Sequence, residues 1–112
     1  MKRIEAIIRP TRVGRVCAAL AGVGHPGPRI SWVEDKSQTG TGYLLRGATY
    51  KVDLVTKSRV EVIAKDEEAD RIIKAIRGAA FTGQNGDGEI FVYAIEDAVP
   101  IQTGECGEAA IH

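Results

Sequence analysis

Apolar and polar residues alternate from Lys2 to Arg9, with Ile4, Ala6 and Ile8 set against Glu5 and Ile7, which predicts a strand that Pro10 stops. From Thr11 the period lengthens. Val13, Val16, Leu20 and Val23 recur at helical spacing, and Gly24 followed by Pro26 ends that helix. Arg29 to Glu34 reads as a second strand, in which Trp32 is expected to pack. Ser58 to Lys65 alternates again through Val60, Val62 and Ala64. Asp66 is a suitable N-cap for a second helix. Glu67, Glu68 and Asp70 fill its first turn, and Lys74 and Arg77 lie near its end, as the helix dipole favours. Ala69, Ile72, Ile73, Ile76 and Ala80 form its apolar stripe. A glycine-rich turn, Thr82-Gly83-Gln84-Asn85-Gly86-Asp87-Gly88, leads into a fourth strand over Glu89 to Ile95.

The order β-α-β, long loop, β-α-β predicts an α+β ferredoxin-like βαββαβ sandwich, an antiparallel four-stranded sheet with two helices on one face. Arg3-Ile4-Glu5-Ala6-Ile7-Ile8 and Arg59-Val60-Glu61-Val62-Ile63-Ala64 echo each other across the two halves. The second sheet face is expected to carry Ile, Val and Ala with no layer over it, and a bare apolar face implies an oligomer.

The 112 residues make one domain, 1–112, and 44% hydrophobic with 27% charged residues is ordinary globular material. Lysine plus arginine equals aspartate plus glutamate at 15 each, which argues against bulk attraction to nucleic acid or an anionic membrane and leaves room for a local basic pocket. No apolar run approaches the ~20 residues of a membrane span. Charge within Met1-Lys2-Arg3-Ile4-Glu5 argues against an export signal, so a cytoplasmic protein is expected. Cys17 and Cys106 match no zinc spacing and are expected to be reduced thiols. His25 and His112 stand alone, so neither a metal site nor a Ser/His/Asp or Cys/His catalytic arrangement is expected.

Two segments carry candidate chemistry. Glycines in 82–88 leave backbone N–H groups unobstructed, and a curl of such groups is an anion-binding nest. The long segment 35–55 contains Leu45-Arg46-Gly47-Ala48-Thr49-Tyr50 and lacks periodicity; a small domain rarely keeps so long a loop without a use for it.

With these segments in view, the chain resembles the PII signal-transduction proteins. The likeness runs through Lys2 to Pro10, Leu20-Ala21-Gly22-Val23-Gly24, Arg46-Gly47-Ala48-Thr49-Tyr50, Thr82-Gly83, Gly86-Asp87-Gly88 with Ile90-Phe91-Val92, and Thr103-Gly104-Glu105 with Gly107 to Ile111. The resemblance implies a homotrimer with its sheets around a central barrel, adenine nucleotide in three inter-subunit clefts, and a loop at 35–55 that docks on a membrane transporter or metabolic enzyme. It implies that Lys57 meets phosphate and 2-oxoglutarate and that Gln38 lies near the magnesium and 2-oxoglutarate position. Glu61 and Ile63 fall at adenine-contacting positions, with Ile7, Gly27, Arg29 and Val62 also in the nucleotide set. Gly86, Asp87 and Gly88 form the phosphate nest and ribose-side turn. Arg46 belongs to the effector loop, and Tyr50 matches a tyrosine that some members have nucleotidylylated. Residues 100–112 form a C-terminal tail.

The departures decide which ligand is expected. A basic residue follows the equivalent of Gly88 in the resembled family, and here it is Glu89; two arginines near Thr103 are replaced by Pro100 and Gln102. Three positive charges are lost from the triphosphate end and one negative charge is gained. At about 1.5–3 kcal/mol per charge-assisted contact, ATP affinity is expected to fall by orders of magnitude, with ADP or AMP suffering less. Arg29 replaces a threonine near adenine and is a candidate holder of a small anion such as bicarbonate. The leading expectation is a non-catalytic sensor of the carbon-uptake or carboxysome kind, with neither metal nor catalytic cofactor. The alternatives are a 2-oxoglutarate- and ATP-responsive nitrogen regulator, an acyl-phosphate hydrolase using Arg9 or Arg29 with Asn85, and an oligomer without ligand.

Overall fold

The computed structural model describes residues 1–36 and 54–107. Four strands and two helices follow one another: β1 (Lys2–Ile8), α1 (Val13–Gly22), β2 (Arg29–Lys36), β3 (Leu54–Ala64), α2 (Ala69–Ala80) and β4 (Gly88–Ala94). Short 3-10 turns at Pro10–Arg12 and Asp66–Glu68 introduce the helices. The strands form one sheet in the order β2-β3-β1-β4, with every neighbouring pair antiparallel. This is the expected ferredoxin-like βαββαβ architecture.

Alternation along β1 and β3 buries Ile4, Ala6, Ile8, Val60, Val62 and Ala64 against Val16 and Leu20 of α1 and Ala69, Ile72, Ile76 and Ala80 of α2. The expected stripe of α2 therefore faces the core, with Ile73 packed at its margin. Asp66 does not cap that helix. Its Oδ1 accepts from the Met1 ammonium at 2.8 Å, while the Lys65 N–H donates to Glu68 Oε1 at 3.3 Å.

The second face of the sheet differs from expectation. It is a charged mosaic, because the echoed Arg-x-Glu of β1 and β3 sends both charges outward. One row across the sheet runs Arg29, Glu61, Glu5, Phe91, and the next runs Ser31, Arg59, Ile7, Glu89. Glu5 and Glu61 stand directly opposite one another. Their repulsion is offset diagonally, with Arg59 Nε 3.3 Å from Glu5 and Arg3 Nη1 3.6 Å from Glu61. Arg3 also lies over the Tyr93 ring, and the Tyr93 hydroxyl donates to Glu5. Self-association thus does not follow from a bare apolar face. The helices also stop short of β2: Trp32 is 76% exposed, so it does not pack as expected.

Candidate functional site

The register places the site. Ile8 pairs with Ser58 on one side and Gly88 on the other, so Arg9, Lys57 and Asp87, one step beyond those pairs, meet at one end of the sheet. The 82–88 turn closes over that end. Gly88 has φ +110°, and a Cβ there would lie 1.7 Å from the Ile7 carbonyl oxygen, so only glycine lets β4 approach β1 this closely.

Asp87 organises the turn. One carboxylate oxygen, Oδ2, accepts the N–H groups of Thr82 at 2.8 Å and Gly83 at 3.0 Å. The other, Oδ1, accepts the Thr82 hydroxyl and Arg9 Nε, the latter at 3.1 Å. The two Thr82 donors, joined by those of Arg9 and Gly83, hold the Asp87 carboxyl far below the usual carboxylate range. Asp87 thus serves as the internal clamp of the nest, with its acceptors already engaged.

Two cations converge on the same turn. Arg9 Nη2 donates to the Asn85 carbonyl at 2.6 Å, and Lys57 Nζ donates to the Gly86 carbonyl at 2.5 Å. Arg9 enters this cluster from the end of β1, where sequence reading gave it a part only in the hydrolase alternative. The clue to its place is the pairing register, which a single sequence does not disclose. Glu89, directly after Gly88, is exposed and faces outward opposite Ile7.

The remaining expected residues separate. Ile7, Arg29, Glu61 and Ile63 join Lys57 and Glu89 on the outward face. β2 begins at Arg29 opposite Glu61, so the β3 backbone beyond Glu61 lacks a β2 partner along that edge. Val62 is 6% exposed and packs beneath the helices, which leaves only its backbone to meet a ligand. Gly27, with φ +75°, lies in the connection before β2. Gln102 is exposed in a tail that folds back through Asp97 Oδ1, acceptor of the Gly107 N–H at 2.7 Å. The seven residues of β4, about 20 Å of strand, run from the 82–88 turn to the point where the chain leaves toward that tail. Gln38, Arg46, Tyr50 and most of the 35–55 loop lie outside the described residues, as do residues 108–112 of the tail. Among the described residues, no three His, Cys, Asp or Glu side chains gather where they could hold a metal ion, and no helix is long and apolar enough to cross a membrane.

The sequence matches the family described as nitrogen regulatory protein P-II over residues 1–105. It is 48% identical over 114 residues to the nitrogen regulatory protein P-II of Rhizobium meliloti and 47% identical to that of Rhodospirillum rubrum, with 99% of this chain and 100% of each relative covered. Among solved structures it is similar to Arabidopsis thaliana PII bound to citrate. The TM-score is 0.80 at 32% identity, over 97% of this chain and 90% of that one.

Proposed function

The chain belongs to the nitrogen regulatory protein P-II family of signal-transduction regulators, and from that premise we propose that it is a non-catalytic cytoplasmic homotrimer that senses adenine nucleotide, binding ADP or AMP in preference to ATP. Occupancy of the cleft shifts the population of loop states at 35–55 and so changes docking on a transporter or enzyme.

The observation that carries this reading is the charge balance at the 82–88 turn. Its two cations, Arg9 and Lys57, already bond the carbonyls of Asn85 and Gly86, and Arg9 also pairs with Asp87. Glu89 stands exposed beside them. A turn with two engaged cations and one neighbouring carboxylate suits a short phosphate chain better than a triphosphate, whose last group adds about two negative charges at neutral pH. The separation of turn and tail supports a shared cleft. Gln102 follows β4 on the side away from the turn, which suits a contact with a nucleotide held at the turn of a neighbouring protomer. The outward positions Ile7, Glu61 and Ile63, with a β3 backbone beyond Glu61 that has no β2 partner, offer a place for the base.

A small anion such as bicarbonate is the proposed second ligand, and the citrate on the Arabidopsis relative is a precedent for a carboxylate on this fold. The curated relatives are named as nitrogen regulators, which favours a second reading in which 2-oxoglutarate and ATP are the effectors.

Calorimetric titration of the purified protein with ATP, ADP and AMP, each with and without bicarbonate or 2-oxoglutarate, tests the proposal. Saturable heats with ADP and AMP support it. ATP binding strengthened by 2-oxoglutarate would favour the second reading, and flat titrations with all three nucleotides would remove both.

A further inference from the structure

Formal charge cancels over the whole chain, yet it is segregated in the helix layer. Between Glu5 and Glu34 the sequence carries Arg9, Arg12, Arg15 and Arg29 and no acidic residue. α2 divides in the same way. Asp66, Glu67, Glu68 and Asp70 gather at its start, and Lys74 and Arg77 lie toward its end. The register sets these groups at opposite ends of the molecule. β1 ends and β4 begins at the Ile8–Gly88 pair, so the start of α1 and the end of α2 share the end that carries the 82–88 turn. The acidic start of α2 follows Ala64, which pairs with Lys2 at the other end.

At the turn end Arg12 is half-buried, and Arg15, Lys74 and Arg77 are exposed. Among the described residues none of the four is ion-paired. The Arg77 guanidinium lies instead 5.9 Å from the centre of the Phe81 ring, and Phe81 is 60% exposed. The remaining charges at this end cancel or lie apart. Arg9 is paired with Asp87. Lys57 and Glu89 stand on the outward face of the sheet, behind the helices. Glu34, exposed on the helix side of β2, opposes the patch with a single charge.

We infer that this end of the helix layer is a peripheral docking surface for an anionic lipid bilayer. The basic side chains stand on two packed helices, separately mounted and without fixed acceptors, which suits the diffuse negative charge of lipid headgroups. Phe81 and the stems of Arg77 and Lys74 supply apolar contact at headgroup depth. The surface lies on the helix side, so it stays accessible when neighbouring protomers enclose the outward sheet face. It also shares its end with the 35–55 loop, which leaves and re-enters the sheet at the Lys36–Leu54 pair. The zero net charge of the chain hides this patch because the acidic end balances it at a distance beyond the reach of screened interactions.

The test is sedimentation of the nucleotide-free full chain with vesicles of equal parts phosphatidylglycerol and phosphatidylcholine, against vesicles of phosphatidylcholine alone. Binding to the first and not the second, lost as salt is raised to molar concentration, supports the inference. Arg15→Gln, Lys74→Gln and Arg77→Gln should each weaken it about fivefold. Lys65→Gln removes the same charge beside Asp66 at the acidic end and should leave binding unchanged. Thermal unfolding checks that each variant folds, and the three exposed sites are separate, so one failed variant leaves the others to decide. An equal loss from Lys65→Gln would show attraction to bulk charge and overturn the inference. Indifference to both vesicles would overturn it as well, and binding to poly-L-glutamate in that case would assign the patch to an acidic protein partner. All of these outcomes are read without nucleotide, so they stand apart from the adenylate reading.

Discussion

The 82–88 turn and the outward face of β2 and β3 both collect charge and use it in opposite ways. At the turn each charge is committed internally: Asp87 takes four donors, and Arg9 and Lys57 are bonded to backbone carbonyls. On the sheet face Arg29 stays extended in solvent, and the Arg59 Nε–H remains unspent. The first region is a built scaffold that sets the shape of a cleft. The second is a mosaic of looser ion pairs. Charged residues therefore make either a closed hydrogen-bonded scaffold or an open ion-pair mosaic, and hydrogen-bond accounting separates the two.

The sharpest way to break the scaffold is Gly88→Ala. Its new Cβ would overlap the Ile7 carbonyl at a backbone angle unfavourable to alanine. We expect a loss of about 3 kcal/mol or more, read from urea unfolding midpoints. A smaller but clear loss is expected from Asp87→Asn, which weakens four hydrogen bonds at once. The sign of its pH dependence follows from the depressed Asp87 carboxyl. With the folded value below the unfolded one near pH 4, the stabilisation is complete above that range and drains away as pH falls through the folded value. The Asn variant should therefore lose part of the wild-type acid sensitivity in midpoints measured between neutral pH and pH 3.

Replacing the carboxylate beside the turn sharpens the functional side of the comparison. Glu89→Lys should raise affinity for ATP relative to ADP about tenfold, measured as a ratio of dissociation constants. The smallest expected effect belongs to the sheet face. A double-mutant cycle on Glu5 and Arg59, read by unfolding, should give a coupling of about 0.5–1 kcal/mol, in keeping with partly exposed ion pairs.

Much of this fold was legible in the chain because burial imposes periodicity. Ile4, Ala6 and Ile8 mark the inward side of β1, and Ile72 and Ile76 mark that of α2. The glycine turn was legible as well, since Gly86 and Gly88 both adopt positive φ. What escaped depends on pairing between distant segments. The Ile8–Ser58 and Ile8–Gly88 pairs bring Arg9 to Lys57 and Asp87, and no local pattern encodes those pairs. The charged outer face was readable in the Arg-x-Glu echo, yet apolar Ile7 and Ile63 drew the expectation toward a bare hydrophobic surface. Trp32 was misplaced for a related reason: β2 lies past the reach of the helices, and strand propensity carries no information about what covers a strand.

The most direct measurement is competition for a fluorescent ADP bound to the purified wild-type chain, with unlabelled ADP and ATP as competitors. We expect ADP to displace the probe at a lower concentration than ATP. Displacement by ATP at one tenth of the ADP concentration would contradict the reading of Glu89, Pro100 and Gln102 on which the proposed nucleotide preference stands.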